Sequence, residues 1–321
     1  MGDLTERILV ADIGGTHIRF GLADAEQGVR RQSTLYCADY SSPAAAAEEY
    51  LNGLDSSQRP EKAVFAIASP VTGDRVEMTN HVWDFSIEET RRQLELSTLR
   101  VVNDFTALAL SLPILEPEEL RRVREGERQA GAPLGLLGPG TGLGVSGLVP
   151  AQGKWWPLST EGGHRDLAAT SEREWQVVQI LQQRFGRASA ERVLSGPGLV
   201  NLYQALCELS GVEPLESRPR DVEHRARASA DSLEAEATRL FSGWLGAVAG
   251  DLALTLGARG GVFLAGGILP KMGAVFDEAL FRQRFLAKGR FRDYLEPIPV
   301  DLIVHRTAAL IGAAQVLVLE R

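Results

Sequence analysis

Two short glycine turns, each set between apolar runs, constrain the fold of this 321-residue chain more than any other feature. In the first, an apolar stretch at residues 7–11 leads into Asp12-Ile13-Gly14-Gly15-Thr16, after which residues 17–23 alternate in character. A strand, a glycine turn and a second strand make a hairpin. Residues 134–149, LGLLGPGTGLGVSGLV, repeat the plan around a second Gly-Thr pair, Gly140-Thr141. Two such hairpins suggest two halves of a duplicated fold. The copies are unequal, because Asp12 aligns with Leu137 and only the first turn keeps a carboxylate.

The remaining pattern alternates strands and helices, which indicates α/β architecture. Residues 63–68 read as an apolar strand stopped by Ser69-Pro70. Residues 99–102 form another, ending on Asn103-Asp104 before a helix-like run at 105–112 closed by Pro113. STEGGHR at 159–165 is a loop by its glycines. A capping box, Ser171 to Glu174, opens a helix expected to carry Trp175, Val178, Leu181 and Phe185 on its buried face until Gly186 ends it. ERVLSGPG at 191–198 punctuates a turn, and the charged stretch 214–231 reads as a solvated loop or exposed helix ends. Leu233–Leu256 has the length of a buried helix, residues 261–267 read as a strand then Gly-Gly, and residues 307–319 as an apolar helix.

A length of 321 suggests two domains at about 150 residues each. The 34 Lys+Arg against 42 Asp+Glu leave a net charge of −8, which argues against a general nucleic-acid binder. Cys37 and Cys207 are too few for a disulfide scaffold or a four-thiolate zinc site, and read as buried small hydrophobes in a reducing cytosol. The opening MGDLTERILV has no charged-then-apolar leader, and the apolar stretch 244–258 is interrupted by Asp251 and too short for a bilayer. The expectation is a cytoplasmic protein with no membrane partner.

Among the motifs, Gly142, Gly144 and Gly147 fit G-x-G-x-x-G, but Pro150, Gly153 and Pro157 forbid the helix a dinucleotide site needs. Adding Val149 mimics a protein-kinase glycine loop, and His164-Arg165-Asp166-Leu167 mimics its catalytic loop. The two lie too close together for a kinase lobe, and Ser171 stands where the metal-binding Asn belongs. The Asp12–Thr16 hairpin is either a plain glycine turn or a backbone nest for phosphate oxygens, with Thr16 as a hydroxyl donor and Asp12 in reach of a Mg²⁺. A second such turn favours the phosphate reading. Asp104, just past the end of a strand, could cap the helix or take a proton from an attacking alcohol. Glu161, His164 and Glu191 are either surface decoration or hydrogen-bonding groups for a polyol.

At seven points the chain resembles the bacterial ATP-dependent glucokinases: ADIGGT (11–16), MTNHVW (78–83), VVNDFTA (101–107), GPGTGLG (138–144), EGGH (161–164), SAERVLSGPGLVNLY (189–203) and FLAGGILPKM (263–272). The resemblance implies a two-domain actin-like ATPase (ribonuclease H-like) fold with an interdomain cleft. The smaller α/β domain would take residues 1–110 and 305–321, the larger 111–304. It also implies transfer of the ATP γ-phosphoryl group to the 6-hydroxyl of glucose at the entry to glycolysis, with Mg²⁺, in a homodimer. Asp104 would be the general base, and Asn103, Glu161, His164 and Glu191 would bind the sugar. Ala11, Asp12, Ile13, Gly14, Gly15 and Thr16 would form the first ATP loop, with Asp12 near Mg²⁺. Gly140, Thr141, Gly142 and Gly144 would form the second, and Gly266 and Gly267 would lie against the adenosine. The cysteine-rich zinc site of the related repressor-and-kinase branch is missing, which places the chain in the zinc-free branch. The alternatives are a kinase for another hexose, or a catalytically weak glucose sensor.

Overall fold

Strand β1 (Ile8–Ile13) shows why its run is almost continuously apolar: it sits inside a sheet with both faces covered. Leu9, Ala11 and Ile13 point into one core cluster, and Ile8 and Val10 into another. The computed structural model describes residues 7–24, 28–79 and 81–320, and these divide into two compact units. Asn80, within MTNHVW, lies outside the described residues.

The first unit takes the described residues up to Glu119 together with Leu148–Ser159 and those from His305 onward. β2 (His17–Asp24) pairs antiparallel with β1 and with β3 (Gly28–Tyr36). After α1 (Pro43–Asn52), β4 (Lys62–Ile67) pairs parallel with β1. A small hairpin, β5 (Arg75–Glu77) and β6 (Asp84–Ser86), and α2 (Ile87–Gln93) precede β7 (Thr98–Asn103), giving the sheet order β3-β2-β1-β4-β7. Helix α3 (Asp104–Ser111) follows at once. The C-terminal helix Ala308–Leu319 returns to this unit, where Leu310, Ala313 and Leu317 pack on Ala107 of α3 and on Val10 and Val64 of the sheet.

The second unit is built on β8 (Leu120–Arg124), β9 (Leu134–Pro139) and β10 (Leu143–Ala151). The later part of β10 and its neighbour β11 (Lys154–Ser159) belong to the first unit. Helices α4 (Glu172–Phe185), α5 (Gly196–Leu209), α6 (Pro219–Ala228) and α7 (Leu233–Leu256) follow. Then come β12 (Val262–Leu264), α8 (Ile268–Met272), α9 (Glu278–Leu286) and a last strand, Val300–Ile303. β12 pairs parallel with both β9 and the last strand. Trp244, Phe241, Phe281 and Phe285 centre the core.

Several local expectations needed correction. Asp12 and Ile13 lie within β1, so the turn is only Gly14 to Thr16. The glycines at 142, 144 and 147, by contrast, lead into and lie in strand β10, as the sequence pattern predicts, and no helix follows them. The charged stretch 214–231 contains helix α6, because Val222 and Ala226 are spaced to bury against neighbouring helices despite the surrounding charge. In α4, Trp175 and Phe185 are exposed, and the buried positions are Glu174, Val177, Val178, Ile180 and Leu181. Burying Glu174 shifts that face: its carboxylate pairs with Arg284 and accepts from the Thr170 backbone N–H at 2.7 Å. Cys37 and Cys207 are buried and free, as expected.

Candidate active site

The first unit gathers its candidates on one sheet edge. β1, β4 and β7 are parallel, and Ile13, Ile67 and Asn103 stand in register at their C-terminal ends. The glycine turn after β1 and the Asn103-Asp104 pair after β7 therefore share that edge, separated by one strand, or about 10 Å. This is where parallel α/β sheets present groups to ligands.

In the turn, the Gly14 N–H is spent on the His17 carbonyl at 3.0 Å, which closes the hairpin. The N–H groups of Gly15 and Thr16 and the exposed Thr16 hydroxyl are left to face an anion. Ala11 and Ile13 are fully buried with their side chains in the core, so neither side chain reaches a ligand. Asp12 stands opposite Arg19 across the hairpin, and the Arg19 guanidinium donates to its Oδ2 at 2.9 Å. Burial pushes the Asp12 carboxyl up from its ordinary value, while Arg19 pulls the other way. Arg19 was absent from the expected site; its spacing of seven from Asp12 across a tight hairpin was the available signal.

Asn103, not Asp104, caps α3: its Oδ1 accepts from the backbone N–H groups of Phe105 and Thr106 at 2.9 and 3.2 Å. Asp104 is thereby the first helical residue, and its Oδ1 accepts from the Phe105 N–H at 2.9 Å. A half-buried carboxylate at a helix N-terminus is held in place while keeping an accessible edge. Between the two stations, Ser69 lies two residues past the end of β4 and is fixed to Thr79, whose N–H donates to its Oγ at 2.8 Å. Sequence reasoning read Ser69 only as a strand stop.

The second unit assembles the other candidates around the β9–β10 turn. The Gly140 N–H bonds to the Gly142 carbonyl at 2.8 Å, and the Gly140 carbonyl accepts from Gly196 at 2.9 Å. Thr141 is left exposed at the tip, and Gly144 is the second residue of β10. Glu191 is tied to this turn twice: its Oε2 accepts from the Leu143 N–H at 2.9 Å, and its own N–H donates to the Gly163 carbonyl at 2.9 Å. Residues Gly162–His164 form one 3₁₀ turn, which places the His164 ring between two carboxylates. Its Nδ1 lies 3.8 Å from Glu191 Oε1 and its Nε2 4.0 Å from Glu161 Oε2. Glu161, His164 and Glu191, separated in sequence, thus converge.

Gly266 follows β12 on the same edge as the Gly140 turn, since β9 and β12 are parallel and Ala265 bonds to the Leu137 carbonyl at 2.9 Å. Its φ of +88° and a Cβ position only 2.2 Å from the Pro139 carbonyl oxygen leave glycine the sole fit. Gly267 then caps α8.

A Mg²⁺ has no protein cage here: among the described residues no group of three or more acidic, His or Cys side chains could hold a metal. That suits Mg²⁺ nonetheless, which binds through one or two carboxylates plus substrate phosphates and water, and Asp12 offers one such carboxylate at the phosphate turn. Among the described residues no helix is long and apolar enough to cross a membrane.

The crystal structure of a glucokinase from an Antarctic psychrotroph is similar to this chain, with a TM-score of 0.86 and 35% identity over 96% of this chain and 98% of that one. A ROK-family glucokinase from Streptomyces griseus, solved with glucose and AMPPNP, shares the fold at a TM-score of 0.63 and 18% identity, covering 96% of this chain and 98% of its own. The fold is thus the α/β actin-like ATPase fold of the sugar kinases. Within that class, a family model described as Glucokinase matches residues 9–320. Glucokinases from Paramagnetospirillum magneticum and Aromatoleum aromaticum are 49% and 50% identical, over 97% and 96% of this chain and 97% and 94% of their own lengths. The chain belongs to the glucokinase family.

Proposed function

We infer that the chain is an ATP-dependent glucokinase, transferring the γ-phosphoryl group of ATP to the 6-hydroxyl of glucose. One observation carries the sugar half of this reading: two carboxylates, Glu161 and Glu191, flank His164 within 4.0 Å in the unit that also carries the second glycine turn. Charged acceptors beside a ring donor suit the alternating hydroxyls of a pyranose, and an inverted hydroxyl would leave one of them unpaired. Asn103 adds its amide N–H₂, since its oxygen is committed to the helix cap.

Asp104 takes the proton of the 6-hydroxyl as that oxygen attacks phosphorus, a role worth about 10²- to 10⁴-fold in rate. Gly15 and Thr16 hold phosphate oxygens through backbone N–H groups, as do Thr141 and Gly142 in the turn that the Gly140 N–H closes, and Gly266 and Gly267 leave room for the nucleoside. When bound, Mg²⁺ would neutralise charge on the phosphates, and Asp12, held by the Arg19 guanidinium at 2.9 Å, is the residue that would hold it. A homodimer working in cytoplasmic glycolysis belongs to the same reading, supported by family membership.

The test is a coupled assay for glucose 6-phosphate with ATP, Mg²⁺ and glucose, mannose, fructose or N-acetylglucosamine, run on the wild type and on Asp104→Asn. Turnover concentrated on glucose, and a loss of at least about 100-fold in the variant with glucose binding retained, is the expected result. Equal turnover in Asp104→Asn would overturn the assignment of the base. Glucose binding without turnover of any sugar would favour a sensor.

A further inference from the structure

Cys37 is fully buried behind the first glycine turn, and both of its hydrogen-bond donors are committed to that turn. It follows β3 at once and opens a 3₁₀ turn, Cys37–Asp39. Its backbone N–H donates to the Thr16 carbonyl at 2.9 Å, and its Sγ–H donates to the Gly14 carbonyl at 3.3 Å. One residue therefore holds both ends of Gly14-Gly15-Thr16 from the side of the core. Burial pushes the thiol up from its ordinary value, so at neutral pH it keeps the proton that it donates.

The consequence follows from the shape of a peptide unit. The Gly14 carbonyl and the Gly15 N–H belong to one planar trans unit and point to opposite sides of the chain. A donor on that carbonyl therefore aims the Gly15 N–H away from Cys37 and out of the core. The peptide unit before it is already fixed by backbone bonds, since the Ile13 carbonyl accepts from Ala68 at 3.1 Å and the Gly14 N–H reaches the His17 carbonyl at 3.0 Å. The unit between the two glycines is the one most able to turn over, because both flanking residues accept a φ of either sign. Turned over, it would present a carbonyl oxygen to an anion where a donor is needed. The Cys37 thiol selects the orientation with the donor outward.

We propose that Cys37 is a positioning residue for phosphate binding: its thiol, donating to the Gly14 carbonyl, sets the Gly15 N–H toward the phosphates of ATP. This rests on the assignment of the first glycine turn to ATP. A hydrogen bond on the carbonyl also polarises the peptide unit and strengthens its N–H as a donor. An alanine at this position would leave the plane between the glycines unheld, whereas a serine would keep a donor in the same place.

The experiment compares wild type, Cys37→Ala and Cys37→Ser by calorimetric titration with AMPPNP, by KM for ATP and for glucose, and by melting temperature. Loss of one orienting hydrogen bond predicts AMPPNP binding about 3- to 10-fold weaker in Cys37→Ala, with KM for ATP raised to match and KM for glucose unchanged. Cys37→Ser should keep the wild-type affinity whatever its buried hydroxyl does to the melting temperature, because the effect follows the donor and not the packing. A folded Cys37→Ala with wild-type nucleotide affinity would overturn the proposal. So would a serine variant no better than alanine, or a defect shared equally by ATP and glucose. Wild-type turnover separates this from the parent reading: a wild type that phosphorylates no sugar with ATP removes both, whereas an active wild type beside an unaffected Cys37→Ala removes only the role of the thiol.

Discussion

Adding one methyl group at Gly142 tests the sugar site from an unusual side, because the group it would strike is Glu191. A Cβ there would sit 2.5 Å from Glu191 Oε2 and 3.3 Å from its Cδ. Ordinary contact is about 3.5 Å, so the carboxylate must retreat by about 1 Å. The Leu143 N–H bond at 2.9 Å would then stretch past any useful length. What Glu191 offers the sugar is displaced by the same amount, and a lost charged hydrogen bond is worth about 1.5–3 kcal/mol, or roughly 10- to 150-fold in kcat/KM for glucose. Stability should change far less, since the side chain can swing. One exchanged hydrogen bond costs about 1 kcal/mol, which for a chain of this size lowers Tm by about 1–2 °C. Gly163→Ala supplies the contrast. Its Cβ would meet the Leu143 carbonyl oxygen at 2.1 Å, a backbone atom locked in β10, so the 3₁₀ turn would have to part from the strand. That variant should lose stability heavily, while Gly142→Ala stays folded with a sugar defect matched by Glu191→Gln. The assay pairs calorimetric melting with glucose titrations at saturating ATP. An unchanged kcat/KM for glucose in Gly142→Ala, with the fold intact, would refute the placement of Glu191 in the sugar site.

Other outcomes follow from burial and charge. Since burial raises the Glu223 carboxyl above its ordinary range, the wild type gives up stability as pH climbs through the interval between the unfolded and folded values. Glu223→Gln escapes this, so its Tm advantage should be present at pH 7 and vanish below about pH 4, as melting curves across pH would read. A constant difference at all pH values would contradict it. Cys37 and Cys207 are buried with their thiols pushed upward by desolvation, so neither should react with a disulfide reagent at pH 8 in the native protein, and both should in denaturant. Arg19→Met should raise the Mg²⁺ concentration needed for half-maximal turnover, with the Km for glucose little changed, because Arg19 offsets the cost of an ionised Asp12.

How much of this was legible beforehand depended on whether the deciding interaction was local. The runs 8–11 and 63–68 are apolar throughout because each strand feeds two cores, Leu9 and Phe65 one and Val10 and Val64 the other, so their burial could be read directly. Leu233–Leu256 likewise needs no distant partner to look like a buried helix, and its bounds match. The exposed face of α4 was misjudged for the opposite reason. Nothing near Glu174 announces that Arg284, over a hundred positions away, will neutralise it and turn Trp175 outward. The helix at 219–228 was missed because only Val222 and Ala226 mark it as buried among many charges. The same division runs through the candidate site. The glycine turns and the Asn103-Asp104 pair are compact motifs whose chemistry is carried by adjacent residues. The meeting of Glu161, His164 and Glu191 depends instead on the Gly163 carbonyl receiving the Glu191 N–H and on Glu191 receiving that of Leu143. One backbone hydrogen bond and one from a backbone N–H to the Glu191 carboxylate thus turn three scattered polar residues into one site, and they exist only once β10, the 3₁₀ turn and the start of the next segment have packed. A site of this construction must be lost with the fold around it, while the phosphate turns, each closed by its own local bond, need only their hairpins.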